Sequence, residues 1–231
     1  MNWEQVVQKV TPYIFKIETP AGYGTGFLYL YNDNKSWCGV ATALHVVDYA
    51  NTWKQPIKLI HHDSLQQIFL KDSDYIIMTD GKTDSAVILF QKPEFELPCE
   101  LIELIPLNTL LSIGNEVSWL GFPAIEPYTL CFFSGNISAW QDFRKAYLID
   151  GVAINGVSGG PVTYLHSTDG VKIVGIVSAY RANRAAGDSL PGLLYAQDVS
   201  HFQGVLQHIR SVDDANKKKL ELEQQQQTEK T

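Results

Sequence analysis

Gly156-Val157-Ser158-Gly159-Gly160-Pro161 sets one serine among three glycines, after one β-rich run and ahead of another. Glycine reaches backbone angles that a Cβ makes strained. The stretch therefore suits a tight turn that exposes the serine Oγ and two backbone N–H groups. Plain turns seldom need so many glycines around one serine. A bare serine is a weak nucleophile at neutral pH, so the turn gains chemical meaning only if a base and an orienting acid come from elsewhere in the chain.

Upstream, the apolar, β-compatible run Ser36–Val47 ends in Ala41-Thr42-Ala43-Leu44-His45-Val46-Val47 and offers His45. Further on, the polar turn Asp80-Gly81-Lys82-Thr83 leads into Asp84-Ser85-Ala86-Val87-Ile88-Leu89-Phe90. An aspartate at the head of such a strand is desolvated by the aliphatic residues behind it, the setting that holds an imidazole in one tautomer and stabilises its protonated form. Asp72, Asp74 and Asp80 lie nearby without that aliphatic run. The candidates fall in the order His45, Asp84, Ser158.

The pattern around them is all-β. Strand-like runs occur at Tyr13–Glu18, Phe27–Tyr31, Ile57–His61, Gln67–Leu70, Tyr75–Met78 and Ala86–Phe90, enough for a small barrel. Gly22-Tyr23-Gly24-Thr25-Gly26 opens onto a strand, so it is not a dinucleotide loop, which must open a helix. Pro93, Pro98 and Pro106 punctuate a crossing segment. A second set of strands follows at Glu116–Leu120, Thr129–Trp140, Ala146–Ala153, Pro161–Leu165, Val171–Tyr180 and Leu193–Ala196. Helical spacing marks Trp3, Val6, Val7 and Val10, and again Phe202, Val205, Leu206 and Ile209. The expected layout is an N-terminal barrel over 1–103, a C-terminal barrel with a closing helix over 104–212, and a polar, disordered tail over 213–231.

Composition excludes several classes. With 231 residues, 45% of them hydrophobic, the chain can bury a large core, while a net charge of −7 gives no basic face for nucleic acid. No apolar run is long enough to span a membrane, and the N-terminus lacks the pattern of an export signal. The three cysteines, Cys38, Cys99 and Cys131, have neither paired spacing nor an even count, so they indicate no disulfide framework and no metal cluster. The expectation is a cytoplasmic protein with buried thiols.

The residue order and the glycine-serine-glycine-glycine-proline turn resemble the trypsin/chymotrypsin superfamily of serine peptidases, and within it the bacterial high-temperature-requirement (HtrA, or Deg-type) peptidases. The matching pieces are Gly24-Thr25-Gly26-Phe27, Thr42-Ala43-Leu44-His45-Val46-Val47, Asp84-Ser85-Ala86-Val87, Gly121-Phe122-Pro123, Asp150 with the serine turn, and Val174-Gly175-Ile176. The resemblance implies two six-stranded Greek-key barrels. It also implies Ser158 as nucleophile, His45 as base and Asp84 as its orienter, an oxyanion hole from the N–H groups of Gly156 and Ser158, and no cofactor. Val177-Ser178-Ala179-Tyr180 resembles the strand that pairs with an extended polypeptide substrate. Val152, Ala179, Tyr180 and Gly192 would wall a pocket for an uncharged side chain.

The chain departs from that pattern in three ways: no PDZ-type module is expected, Ala153-Ile154-Asn155 is shifted by one residue, and Met1-Asn2-Trp3 is unlike a zymogen-derived N-terminus. Two rivals stand beside this reading. One is a protease fold without turnover of its own, gated by a regulatory protein partner or serving as a binding module. The other is an α/β-hydrolase esterase using Ser158, Asp188 or Asp198, and His201, which requires a helix directly after the serine.

Overall fold

Both halves of the chain wind their strands in the same order. A computed structural model describes residues 2–152, 154–183 and 190–228, with side chains at all of these except 180–183, 190, 191, 227 and 228. The first half contains β1 (Ile14–Thr19), β2 (Gly22–Tyr31), β3 (Trp37–Ala43), β4 (Ile57–His61), β5 (Gln67–Leu70), β6 (Tyr75–Asp80) and β7 (Ser85–Gln91). They form one sheet in the order β5-β4-β1-β2-β3-β7-β6. The second half contains β8 (Glu116–Gly121), β9 (Cys131–Gln141), β10 (Ala146–Asp150), β11 (Pro161–His166), β12 (Gly170–Asn183) and β13 (Leu190–Asp198), closed into a barrel in the order β10-β13-β12-β11-β8-β9. In each half three successive strands lie side by side and a fourth returns beside the first, β4 next to β1 and β11 next to β8, the Greek-key winding.

The first half differs from a six-stranded barrel in having seven strands whose order leaves β5 and β6 as edges. Helices cover what the ladder leaves open. α2 (Leu44–Trp53) buries Val46, Val47 and Ala50 against the sheet. The strand expected to run to Val47 therefore ends at Ala43, and Leu44 begins the helix. α1 (Trp3–Val10) is closed at its start by reciprocal bonds between Asn2 and Gln5 and buries Val6 and Val10.

α3 spans Ser200–Thr228 and seats Phe202 against Phe27 and Tyr29, at ring-centroid separations of 6.4 and 5.4 Å. It runs on past residue 213, where the sequence suggests a disordered tail. The Asp213 carboxylate accepts the Asp33 backbone N–H at 2.9 Å, and the Lys217 ammonium pairs with the Asp33 carboxylate. These contacts to the loop after β2 hold the polar end of the helix where composition alone promised little order. Residues 229–231 of that tail lie outside the described residues.

The second barrel is filled from within by Trp119, fully buried and stacked on Phe133. Residues 103–105 leave the crossing segment to bond along β12, with the Ile105 N–H donating to Ile173 O at 2.8 Å and the Ile173 N–H to Glu103 O at 2.9 Å. Among the described residues no helix is long and apolar enough to cross a membrane.

Candidate active site

His45 is the second residue of α2, a helix whose N-cap, Ala43, has no side chain able to cap it. Asp84 does the capping from the β6–β7 turn. Its backbone O accepts the Leu44 N–H at 2.9 Å and its Oδ1 accepts the His45 N–H at 3.0 Å. The other carboxylate oxygen, Oδ2, lies 2.8 Å from His45 Nδ1. An ionised carboxylate only accepts, so Nδ1 carries the proton and Nε2 is left as an acceptor. One carboxylate thus fixes both the position of the histidine backbone and the tautomer of its ring. The helix start, with its unpaired N–H groups and positive dipole end, favours a negative charge there.

Asp84 adopts a left-handed backbone, φ 45°, a conformation aspartate tolerates better than most residues but which still costs about 1–2 kcal/mol. The neighbouring Asp80 is occupied within the same turn, accepting from the Lys82 N–H at 2.9 Å and from the Thr83 hydroxyl at 3.0 Å. Asp84 Oδ2 also accepts the Ser178 hydroxyl at 2.5 Å. Burial pushes the Asp84 carboxyl upward, but the hydrogen bonds from the His45 ring, the Ser178 hydroxyl and the His45 backbone outweigh it and hold the pKa below the usual aspartate value. The side chains of His45 and Asp84 are 50% and 28% exposed, so the pair is open to solvent.

The serine turn is pinned to the first half by one threonine. Thr25 on β2, fully buried, donates its N–H to Ser158 O at 2.8 Å and its hydroxyl to Gly156 O at 2.8 Å. The same hydroxyl accepts the Phe122 N–H at 3.1 Å, and Thr25 O accepts the Thr42 hydroxyl at 2.7 Å. A Cβ on Gly24 would lie 2.6 Å from Val46 of α2 and 3.1 Å from Ser158 O, which sets the serine turn beside the helix that carries His45. Gly156 and Gly159 are left-handed, at φ 92° and 84°, and a Cβ on Gly159 would overlap Thr25 O and the Thr42 hydroxyl. Ser158 is half-buried. Among the described residues, the N–H groups of Gly156 and Ser158 have no acceptor, whereas those of Gly159 and Gly160 donate to Val177 O and Val157 O.

Asp150 on β10 pairs with Leu193 on β13, and Leu193 pairs with Arg181 on β12. Val152 follows this row at one end, half-exposed, and Gly192 lies within it, half-buried. Ser178 sits at a bulge between the pairs Val177↔Ala196 and Ala179↔Tyr195. Its side chain is buried and aimed at Asp84, so it supports the carboxylate instead of lining a pocket. Ala179 is exposed. The Tyr180 side chain lies outside the described residues, as does Ala153. β12 has β11 as neighbour only as far as the Pro161↔Ile176 pair, after which Val177 bonds the serine turn. Beyond that point its far edge has no strand partner among the described residues.

No protein-family model and no curated protein matches the chain. Solved structures do. A serine endoprotease from Yersinia pestis superposes with a TM-score of 0.65 at 19% identity, over 91% of this chain and 67% of that one. Rv3671c from M. tuberculosis, a serine-to-alanine mutant in its inactive form, superposes with a TM-score of 0.60 at 19% identity, over 89% of this chain and 90% of that one. The fold is that of a chymotrypsin-like serine protease.

Within that double-barrel fold the α/β-hydrolase alternative fails. Ser158 is followed by strand β11, and every ladder between the named strands is antiparallel. His201 Nε2 lies 3.2 Å from Met78 O. Asp198 accepts the Ser200 hydroxyl at 2.6 Å at the start of α3, and Asp188 lies outside the described residues. Sequence reasoning passed over Thr25 as a positioning residue. Its signal was the Gly24-Thr25-Gly26-Phe27 piece of the resemblance, which marks the stretch but gives Thr25 no role. A cleft of about 550 Å³ between α3 and the sheet is lined by Trp37 at the far end of β3 from His45, so it is separate from this site.

Proposed function

We propose that this protein is a serine endopeptidase of the trypsin-like type, related to the HtrA/Deg group, which cleaves polypeptide through an acyl-enzyme. Ser158 Oγ attacks the carbonyl carbon while His45 Nε2 takes its proton. The carbonyl oxygen, now carrying the negative charge, is met by the N–H groups of Gly156 and Ser158, a contribution of roughly 3–4 kcal/mol per donor in a comparable protease. His45 returns the proton to the departing amine as the C–N bond breaks. Water then hydrolyses the ester by the same route, with His45 again as base. Asp84 stays ionised and stabilises the imidazolium, and Ser178 holds Asp84. An extended substrate would add as a strand along the free edge of β12 from Ala179, with an uncharged side chain directed towards Val152 and Gly192.

The observation that carries this reading is the double hold of Asp84 on the His45 backbone and ring, at the helix start against which the serine turn packs. The test is cleavage of casein by the wild type and by Ser158→Ala, together with labelling by a fluorophosphonate probe. The wild type should cut casein and label at Ser158, and the variant should do neither while melting at the same temperature. Equal cleavage by both proteins would refute the assignment.

A further inference from the structure

The helix face that presents His45 continues past it. At 100° per residue, positions 45, 49 and 53 fall within one 80° arc, and the buried Val46, Val47 and Ala50 fill the arc next to it, starting about 20° beyond Trp53. Position 49 is Tyr and position 53 is Trp, with 49% and 64% of their surface exposed and ring centroids 6.3 Å apart. Each ring could bury well over 100 Å² in a partner, yet here about half or more of each is exposed. Asp48 and Thr52, both exposed, lie on the other side of His45 from Trp53. The next residue, Lys54, turns out of the helix in a left-handed conformation and pairs with Asp72 at 3.4 Å.

We propose that Tyr49 and Trp53 form an accessory subsite that takes a bulky apolar side chain of the polypeptide being cleaved. The occupant is argued from continuity, because the aromatic pair lies on the same exposed helix surface that presents His45. Trp53 lies eight residues, about 12 Å, along the helix from His45. An extended peptide covers that distance in three to four residues. The favoured side chain therefore sits within about four residues of the scissile bond. This subsite rests on the serine endopeptidase reading.

Two measurements decide it. Wild type and Tyr49→Ala/Trp53→Ala are compared on casein, with cut sites read by mass spectrometry, and on p-nitrophenyl acetate, which is too short to reach the rings. Ester hydrolysis should stay within twofold. kcat/KM at sites with Phe, Leu or Trp within four residues of the cut should fall about tenfold, mostly through KM. Unchanged cut sites and unchanged kcat/KM would overturn the subsite while leaving the peptidase reading intact. Independently of turnover, casein peptides titrated calorimetrically into Ser158→Ala should bind about tenfold more weakly once Tyr49→Ala/Trp53→Ala is added. Equal affinity, or no binding to either protein, sinks the subsite, whereas failure of the wild type to label or cleave sinks the peptidase reading.

Discussion

The two halves share a strand order and are completed differently. In the second half the order closes on itself, β9 pairing with β10, and the interior is filled by side chains such as Trp119 and Ile149. In the first half the order ends in two edges, β5 and β6, where Phe69 and Ile76 are exposed, and two helices cover what hydrogen bonds do not. α2 plugs the sheet with Val46, Val47 and Ala50, and α3 leans Phe202 on Phe27 and Tyr29. The difference teaches where a reactive side chain can be placed. The turn 156–160 leaves the closed barrel and is tied to β2 by Thr25, whereas a helix set against an open sheet can present His45 on its exposed face and take its cap from another loop.

That contrast can be broken at its seam. The largest effect is expected for Asp84→Asn, which should lower kcat on a peptide substrate by on the order of 10⁴-fold, the loss known for an aspartate-to-asparagine change in the triad of a serine protease. The amide can no longer accept from both the His45 ring and Ser178. A loss below tenfold, measured by steady-state kinetics on a protein that melts normally, would mean that Asp84 only caps α2.

Next in size is Gly159→Ala. It puts a Cβ at φ 84° against Thr25 O and Thr42, where the halves meet. Strain and overpacking together should destabilise the protein by roughly 3 kcal/mol. Urea denaturation checks this, and an unchanged midpoint would show that the seam is loose.

The smallest expected effect is local and concerns pH. Because the folded pKa of Asp84 is depressed, its contribution is fully present above the ordinary aspartate pKa and is lost as pH falls below about 4. Hydrogen exchange should then show α2 amides losing protection on acidification before those of β8–β13. Simultaneous loss in both halves would erase the distinction between the helix-plugged sheet and the closed barrel.

Much of this was legible beforehand because it is local. Short apolar, β-compatible runs announced most strands, and the glycines around Ser158 announced a tight turn, two of them, Gly156 and Gly159, in a left-handed backbone. The α2 helix was not legible. Ala43 is no cap, and Val46-Val47 reads as strand; the group that starts the helix, the Asp84 carboxylate, is 39 residues away in sequence. The continuation of α3 past residue 213 was hidden for the same reason, since Asp213 and Lys217 meet Asp33 far away in sequence.

Sequence by itself determined the β-rich pattern, the serine turn and the order of His45, Asp84 and Ser158. Only the tertiary structure decided that one half stays open, that Thr25 ties the turn to β2, and that Ser178 serves Asp84. Patterning and turn chemistry depend on neighbours along the chain, whereas caps, seams and shared carboxylates depend on groups that meet only after the two sheets have packed.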